Sequence, residues 1–472
     1  MRNGSHMPSN TRVRDLAAAT PTARDRYIDL LRVASLGTVL LGHWLMAAVT
    51  VDADGRAKVG NLLAVEPGLQ LLTWVLQIMP VFFFVGGFSH ALSYRSLARR
   101  TDGPAYAAFL RARLQRLLRP TMVFIAVWGT GALAVQLLGG DGPLTDVAAR
   151  LVAQPLWFIG IYLAMVAFTP PLLRLHERYG WGAFAALVAA AAGVDALRFA
   201  VGVPFVEFLN FAFVWLAVHQ LGFLRADGRL GAPAVPAALV IAGLASAAAL
   251  VAFGPYPLSM VGMPGEKISN MSPPTAALLC HGLWLVGAVE LLRGPGARLV
   301  ARPRVWRGVI AANGVAMTAF LWHLTAMLGV YGALLALDVP LPAPASAAWW
   351  AQVPLRIAAA AVVTAVLVAV FRKVEQPAAA RPAGSARRVS GPVAALGVTL
   401  ALFGVLGLSM VGFGGLLEGH TAMLVAVRVT APAAVVMAAV GWLLVEAAAP
   451  RRPRPGGGAT AGPVPVATSG EG

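Results

Sequence analysis

The chain has 472 residues, 58% of them hydrophobic and 12% charged, with a formal net charge of +17. That much apolar surface excludes a soluble globular protein of this size, and its grouping into continuous blocks of about 18 residues or more excludes a β-barrel, whose strands alternate. The positive excess would suggest nucleic acid in a soluble protein. In a membrane protein it is what Lys- and Arg-rich inward loops produce, so no nucleic-acid partner is expected.

Residues 1–24 are polar and basic and read as a cytosolic tail without a cleavable signal peptide, and Gly4-Ser5-His6-Met7 has the look of a cloning remnant. The apolar blocks then predict spans near 28–50, 70–94, 120–139, 151–171, 181–200, 207–224, 233–253, 274–292, 308–335, 350–371, 392–413 and 421–447. Short loops with turn chemistry separate them, such as Gly139-Gly140-Asp141-Gly142-Pro143. A basic linker, 377–391, divides a ten-helix domain (25–376) from two additional helices (392–447). A Pro/Gly/Ala-rich tail, 448–472, is expected to be disordered and cytosolic. The fold class is therefore all-α: a polytopic transmembrane helix bundle with a ten-helix core plus two C-terminal helices. With the N-terminus inside, 29 of the 37 Lys and Arg fall in inward segments and 5 in outward loops. The remaining 3, Arg32, Arg356 and Arg428, lie inside spans. This asymmetry predicts a multi-pass plasma-membrane protein with both termini cytosolic, surrounded by membrane lipid.

Ionisable groups are costly inside a span and tend to mark function. Arg32 and His43 stand eleven residues apart in the first helix, which leaves their side chains about 20° apart around the axis and roughly 16 Å apart along it. Asp29, one turn before Arg32, can pair with and orient its guanidinium. Bland readings exist for both: a structural Arg–Asp pair, and a histidine bonded to a neighbouring helix. Arg111, Arg113, Arg116 and Arg119 precede Pro120 on a helix expected to begin at Pro104 and to lie on the cytosolic surface ahead of the third span. Tyr106, Phe109, Leu110, Leu114 and Leu117 form its apolar side. Its arginines suit either lipid headgroups or the phosphates of a nucleotide-containing donor.

His323, deep in the ninth span, and Trp157, near the start of the fourth, are candidates for the wall of a substrate cavity. Trp157 also fits the interfacial belt formed by Trp74, Trp181, Trp349 and Trp350. His90, Asp195, Glu207, His219, His281 and Glu290 read as packing or interfacial groups. Arg428 faces nothing acidic in its own predicted span, since Glu446 is about five turns away. Walker, G-x-S-x-G, H-E-x-x-H and paired-acid metal motifs are absent, and no metal is expected. The lone cysteine, Cys280, excludes a disulfide framework.

Asp29-Leu-Leu-Arg32, followed by His43, resembles the Asp-x-x-Arg-x10-His pattern in the first helix of the membrane acyltransferase-3 family. Pro80-Val-Phe-Phe-Phe-Val-Gly-Gly-Phe88, Arg113-x-x-Arg116 with Arg119-Pro120, Leu156-Trp157-Phe158, Leu321-Trp322-His323 and Val374-Glu375-Gln376-Pro377 support the resemblance in order. It implies a ten-helix core that uses acyl-CoA donors to O-acylate sugars, lipids or secreted metabolites. The chain departs from the pattern at Val33, where the family usually has glycine, and its last two helices lie outside it.

Acyl transfer from a thioester to a hydroxyl needs a base for the incoming proton and positive dipoles for the oxyanion. The expectation is that His43 is the general base and that Arg32 is its catalytic companion. Arg113, Arg116 and Arg119, with Asp29 orienting Arg32, would hold the CoA end. Acyl-CoA, in the simplest case acetyl-CoA, is the co-substrate, and the acceptor is a hydroxyl on a glycan, lipid or small metabolite. No Cys or Ser has the setting of a nucleophile, which favours direct transfer over a covalent acyl-enzyme. The alternative is a proton-coupled transporter, which intramembrane Arg and His would also suit. Against it, the two halves show no similarity and no paired broken helices.

Overall fold

The protein is seen in a computed structural model that describes residues 14–447 apart from 16, 22–23, 52–56, 101–104, 141, 264, 376–390, 418 and 426. The tail 448–472, nearly all of the linker 377–391, most of the tail 1–24, and Pro104 and Arg56 lie outside the described residues.

The first helix, α1 (Arg26–Met46), starts where the Asp25 carboxylate accepts from the backbone N–H groups of Tyr27 and Ile28. It ends four residues earlier than its apolar run. Ala47–Val51 (β1) instead pairs with Ala57–Asn61 (β2) in an antiparallel hairpin, as the β-branched Val49, Thr50 and Val51 favour. Short helical segments, Leu62–Val65, Pro67–Leu72 and Thr73–Leu76, follow. Then come α2 (Met79–Ala98), opened by Pro80 in its first turn, and α3 (Tyr106–Leu137). The bundle continues through α4 (Pro143–Ala153), α5 (Pro155–Tyr179), α6 (Trp181–Ala196), α7 (Asn210–Ala226) and α8 (Ala234–Phe253). Beyond these lie α9 (Ala276–Leu291), α10 (Arg293–Ala301), α11 (Pro303–Asn313), α12 (Ala316–Ala336) and α13 (Ala347–Glu375). The chain closes with α14 (Gly391–Val411), a second hairpin of β3 (Thr421–Leu424) and β4 (Val427–Thr430), and α15 (Ala431–Ala447).

Each predicted span corresponds to an apolar helix. Ten helices among the described residues have the length and apolarity to cross a bilayer, which makes this a multi-pass helical membrane protein. The other two spans are shorter than expected. The eighth is α9, bent by 54° into α10, and the twelfth is the 17-residue α15.

Three local expectations change. The arginine-bearing helix before the third span is not a separate surface helix: α3 runs unbroken for 32 residues through Pro120. Phe109, Leu110 and Leu114 are buried against the bundle rather than laid on a surface. The ninth span is divided at Gly314-Val315 between α11 and α12. Arg428 sits exposed on β4, outside any helix, because Thr421–Thr430 is rich in β-branched residues and folds as a hairpin. Its lack of an intramembrane partner thereby ceases to be a puzzle.

Contacts sort the connecting segments onto two faces. On the face where α1 begins, Arg225 joins Asp25 (2.8 Å) to Glu290 (2.9 Å). There too, Asp227 receives Arg95 (2.6 Å) and His176 (2.8 Å). On the opposite face, Trp74 Nε1 donates to the Leu258 carbonyl and Phe413 N–H to the Ala149 carbonyl. These are the groupings that the charge pattern predicts.

Small residues set the helix spacing. A Cβ on Gly87 of α2 would overlap the His219 carbonyl of α7, and one on Gly222 would overlap the Phe84 carbonyl. In α14 and α15, Gly404 and Gly441 allow the same backbone approach. With lipid outside, such close packing replaces the hydrophobic effect as the force between helices.

Candidate active site

Asp25 and Tyr27 anchor the start of α1, the latter by donating its hydroxyl to the Val289 carbonyl at 2.6 Å. This fixes Asp29 in a buried position, where it accepts from Arg24 (2.6 and 3.1 Å) and from Arg32 (3.2 Å). The Asp29 hydrogen bond, partly opposed by burial, holds the Arg24 guanidinium above its ordinary proton affinity. Arg32 reaches on across the helix interface and donates to Ser89 Oγ of α2 at 2.8 Å. From the other side Arg113 of α3 donates to the Ser89 carbonyl at 2.9 Å and to Ser93 Oγ. Ser89 is therefore the point at which the two predicted arginines meet. Arg24 and Arg32 share the single carboxylate of Asp29, and Arg113 comes up to Arg32 through Ser89. The surplus positive charge suits an anion.

The other two arginines do not join this cluster. Steps of three residues rotate successive side chains by about 60°, so Arg113, Arg116 and Arg119 fan over roughly 120° of α3. Arg116 is exposed. Arg119 turns to the last helix and pairs with Glu446 at 2.7 Å, beside Gln115, which donates to the same carboxylate at 2.8 Å. Its charge is neutralised there, and it pins α15 to α3.

Three turns beyond Arg32, His43 meets His323 of α12, with His43 Nδ1 and His323 Nε2 2.8 Å apart and the rings stacked at 5.0 Å. His323 is completely buried, and its Nδ1 bonds the Phe320 carbonyl. His43 is only partly covered, and its Nε2 has no hydrogen-bond partner among the described residues. Trp44 Nε1 donates to the His323 carbonyl (3.0 Å) and Tyr331 Oη to the Ala47 carbonyl (2.9 Å), which fastens the end of α1 to α12. Trp157 is not part of this pair. Its ring stands against Trp215 at 6.3 Å, while its neighbour Phe158 packs on Phe320 at 4.8 Å.

Sequence reading missed Ser89, Ser93 and Trp44, since a serine or tryptophan in an apolar run carries no signal until the helix opposite is known. It also treated His90 and His219 as separate packing groups, whereas they form a second buried pair. His90 Nδ1 and His219 Nε2 are 3.0 Å apart, and the Tyr162 hydroxyl is 2.9 Å from His90 Nε2.

The structure is thus a multi-spanning helical bundle in which Arg32, beside Arg24 and Arg113, and the partly open His43 lie three turns apart on α1. The family model described as an acyltransferase domain matches residues 25–372, and the chain belongs to this acyltransferase-3 family. It is a membrane acyltransferase whose α14 and α15 lie beyond the matched region. No curated protein and no solved structure matches the chain.

Proposed function

We propose that the protein transfers an acyl group, in the simplest case acetyl, from cytosolic acyl-CoA to a hydroxyl of a sugar, lipid or secreted metabolite. The observation that carries this reading is the division of labour along α1: surplus guanidinium charge at its start and a histidine with an unpartnered nitrogen near its end. Acyl-CoA has the matching shape, with phosphates at one end and the thioester at the far end of an extended arm. The roughly 16 Å rise between Arg32 and His43 is of that order.

In this reading the face bearing Arg24, Arg32 and Arg113 is cytosolic, in a plasma membrane, with both termini on that side. The 29-to-5 distribution of Lys and Arg supports it. Arg32 and Arg113 receive phosphate, Arg116 assists from the exposed side, and Asp29 keeps Arg32 aimed. His43 Nε2 takes the acceptor's hydroxyl proton as the oxygen attacks the thioester carbonyl. The C–S bond breaks, and the same proton passes to the departing sulfur. Trp157 and His323 belong to the surrounding wall.

The test is thiol release from acetyl-CoA by the purified protein in detergent. Wild type should turn over slowly with water as acceptor. His43→Ala should lose turnover by about 10²-fold or more while eluting as the same species and binding acetyl-CoA normally. Absence of any saturable binding of acetyl-CoA or longer acyl-CoAs would overturn the reading in favour of a carrier.

A further inference from the structure

Two histidines meeting nitrogen to nitrogen leave open which one donates, and here a third group decides it. The Phe320 carbonyl can only accept, so His323 carries its proton on Nδ1 and donates it to that oxygen. A neutral His323 then presents a bare Nε2. That atom can only accept, so His43 donates to it through Nδ1–H across 2.8 Å. The remaining nitrogen of His43, Nε2, is left with its lone pair, and it is the nitrogen without a protein partner. The order Phe320 carbonyl, His323, His43 thus has one direction. It is set by a helix backbone whose geometry cannot tautomerise.

We infer that His323, backed by the Phe320 carbonyl, is a positioning residue that fixes the tautomer of His43 and selects Nε2 as the proton-accepting atom. This rests on the general-base reading above. The acceptor O–H bond breaks with its proton going to His43 Nε2, the C–O bond forms, the C–S bond breaks, and Nε2 returns the proton to sulfur. His43 Nδ1–H stays on His323 Nε2 throughout, and its hydrogen bond strengthens while His43 is cationic. His323 never changes protonation state. The role matches that of the buried acceptor behind the base in a hydrolase triad, with a neutral ring in place of a carboxylate.

The experiment measures acetyl-CoA thiol release by full-length His323→Ala, His323→Gln and His323→Asn, with His43→Ala run beside them. At saturating acetyl-CoA, His323→Ala should lower turnover by about 10- to 100-fold, with half-saturation held within about twofold. Gln carries an acceptor oxygen where Nε2 stands and should restore most of the loss. Asn is one methylene too short and should not. Full turnover in His323→Ala, a raised half-saturation at unchanged turnover, or Gln no better than Ala overturns the inference. In case the variants do not fold, ¹⁵N shifts of histidine-labelled wild type give an independent answer: a His43 ring protonated on Nε2 rather than Nδ1 also overturns it. If His43→Ala keeps its turnover, the general-base reading itself fails. If His43→Ala is inactive while His323→Ala is normal, only the positioning role fails.

Discussion

The protein builds a histidine pair twice, and the two differ in whether the unpartnered nitrogen is open to its surroundings. In His90–His219 the outer nitrogen of His90 is taken by the Tyr162 hydroxyl, and the unpartnered Nδ1 of His219 is sealed inside, both rings being completely buried. In His43–His323 one ring is buried and bonded to a backbone carbonyl, while the other is partly uncovered with an unpartnered nitrogen. The sealed pair sits where Gly87 and Gly222 let α2 and α7 approach to backbone contact. The open pair sits near the end of α1, where the helix gives way to a hairpin. Residue type is therefore no guide to which pair is chemically available; its place along the packed helices is.

That contrast can be broken most directly at His43, where alanine should abolish thiol release while alanine-free changes at the sealed pair should not. Tyr162→Phe removes the cap on His90 and should leave turnover within about threefold of wild type. Its cost should appear in thermal stability, since stranding a buried polar group costs about 1–3 kcal/mol. Loss of turnover in Tyr162→Phe would place the second pair in the reaction and erase the distinction.

The arginines offer a parallel comparison. Arg113→Lys exchanges a planar fork for a point charge at the shared Ser89 position, and acetyl-CoA affinity should weaken by roughly tenfold in titration calorimetry. Arg119→Lys should leave that affinity unchanged, because Arg119 already answers Glu446. Equal effects from the two would mean that donor phosphates reach across the whole arginine fan.

The smallest expected effect concerns Asp227, outside the spans. Burial pushes its carboxyl up, but hydrogen bonds from Arg95 and His176 outweigh this and hold it below the usual range. A depressed carboxylate contributes stability above its unfolded value and loses it as pH falls through the folded one. The melting temperature of wild type should therefore drop between about pH 5 and pH 3 by more than that of Asp227→Asn. Equal drops would assign the ion cluster at this face no role in acid stability.

Continuous apolar blocks alone determined that the chain is a helical membrane protein, because a bilayer leaves the backbone no other way to satisfy its hydrogen bonds. The alternation of basic segments likewise determined which connections share a face. The Asp29, Arg32 and His43 spacing on one helix was legible too, since 3.6-residue periodicity is local. What lies between helices was not. Arg119 read like Arg113 until α15 brought Glu446 beside it, and Arg428 read as intramembrane until Thr421–Thr430 proved to be a hairpin. His323 and His90 were both lone histidines in apolar runs, and only the tertiary structure gave each its partner. The partners of these histidines and of Arg119 lie 129 to 327 residues away in sequence, and no local period encodes which face of one helix meets which face of another.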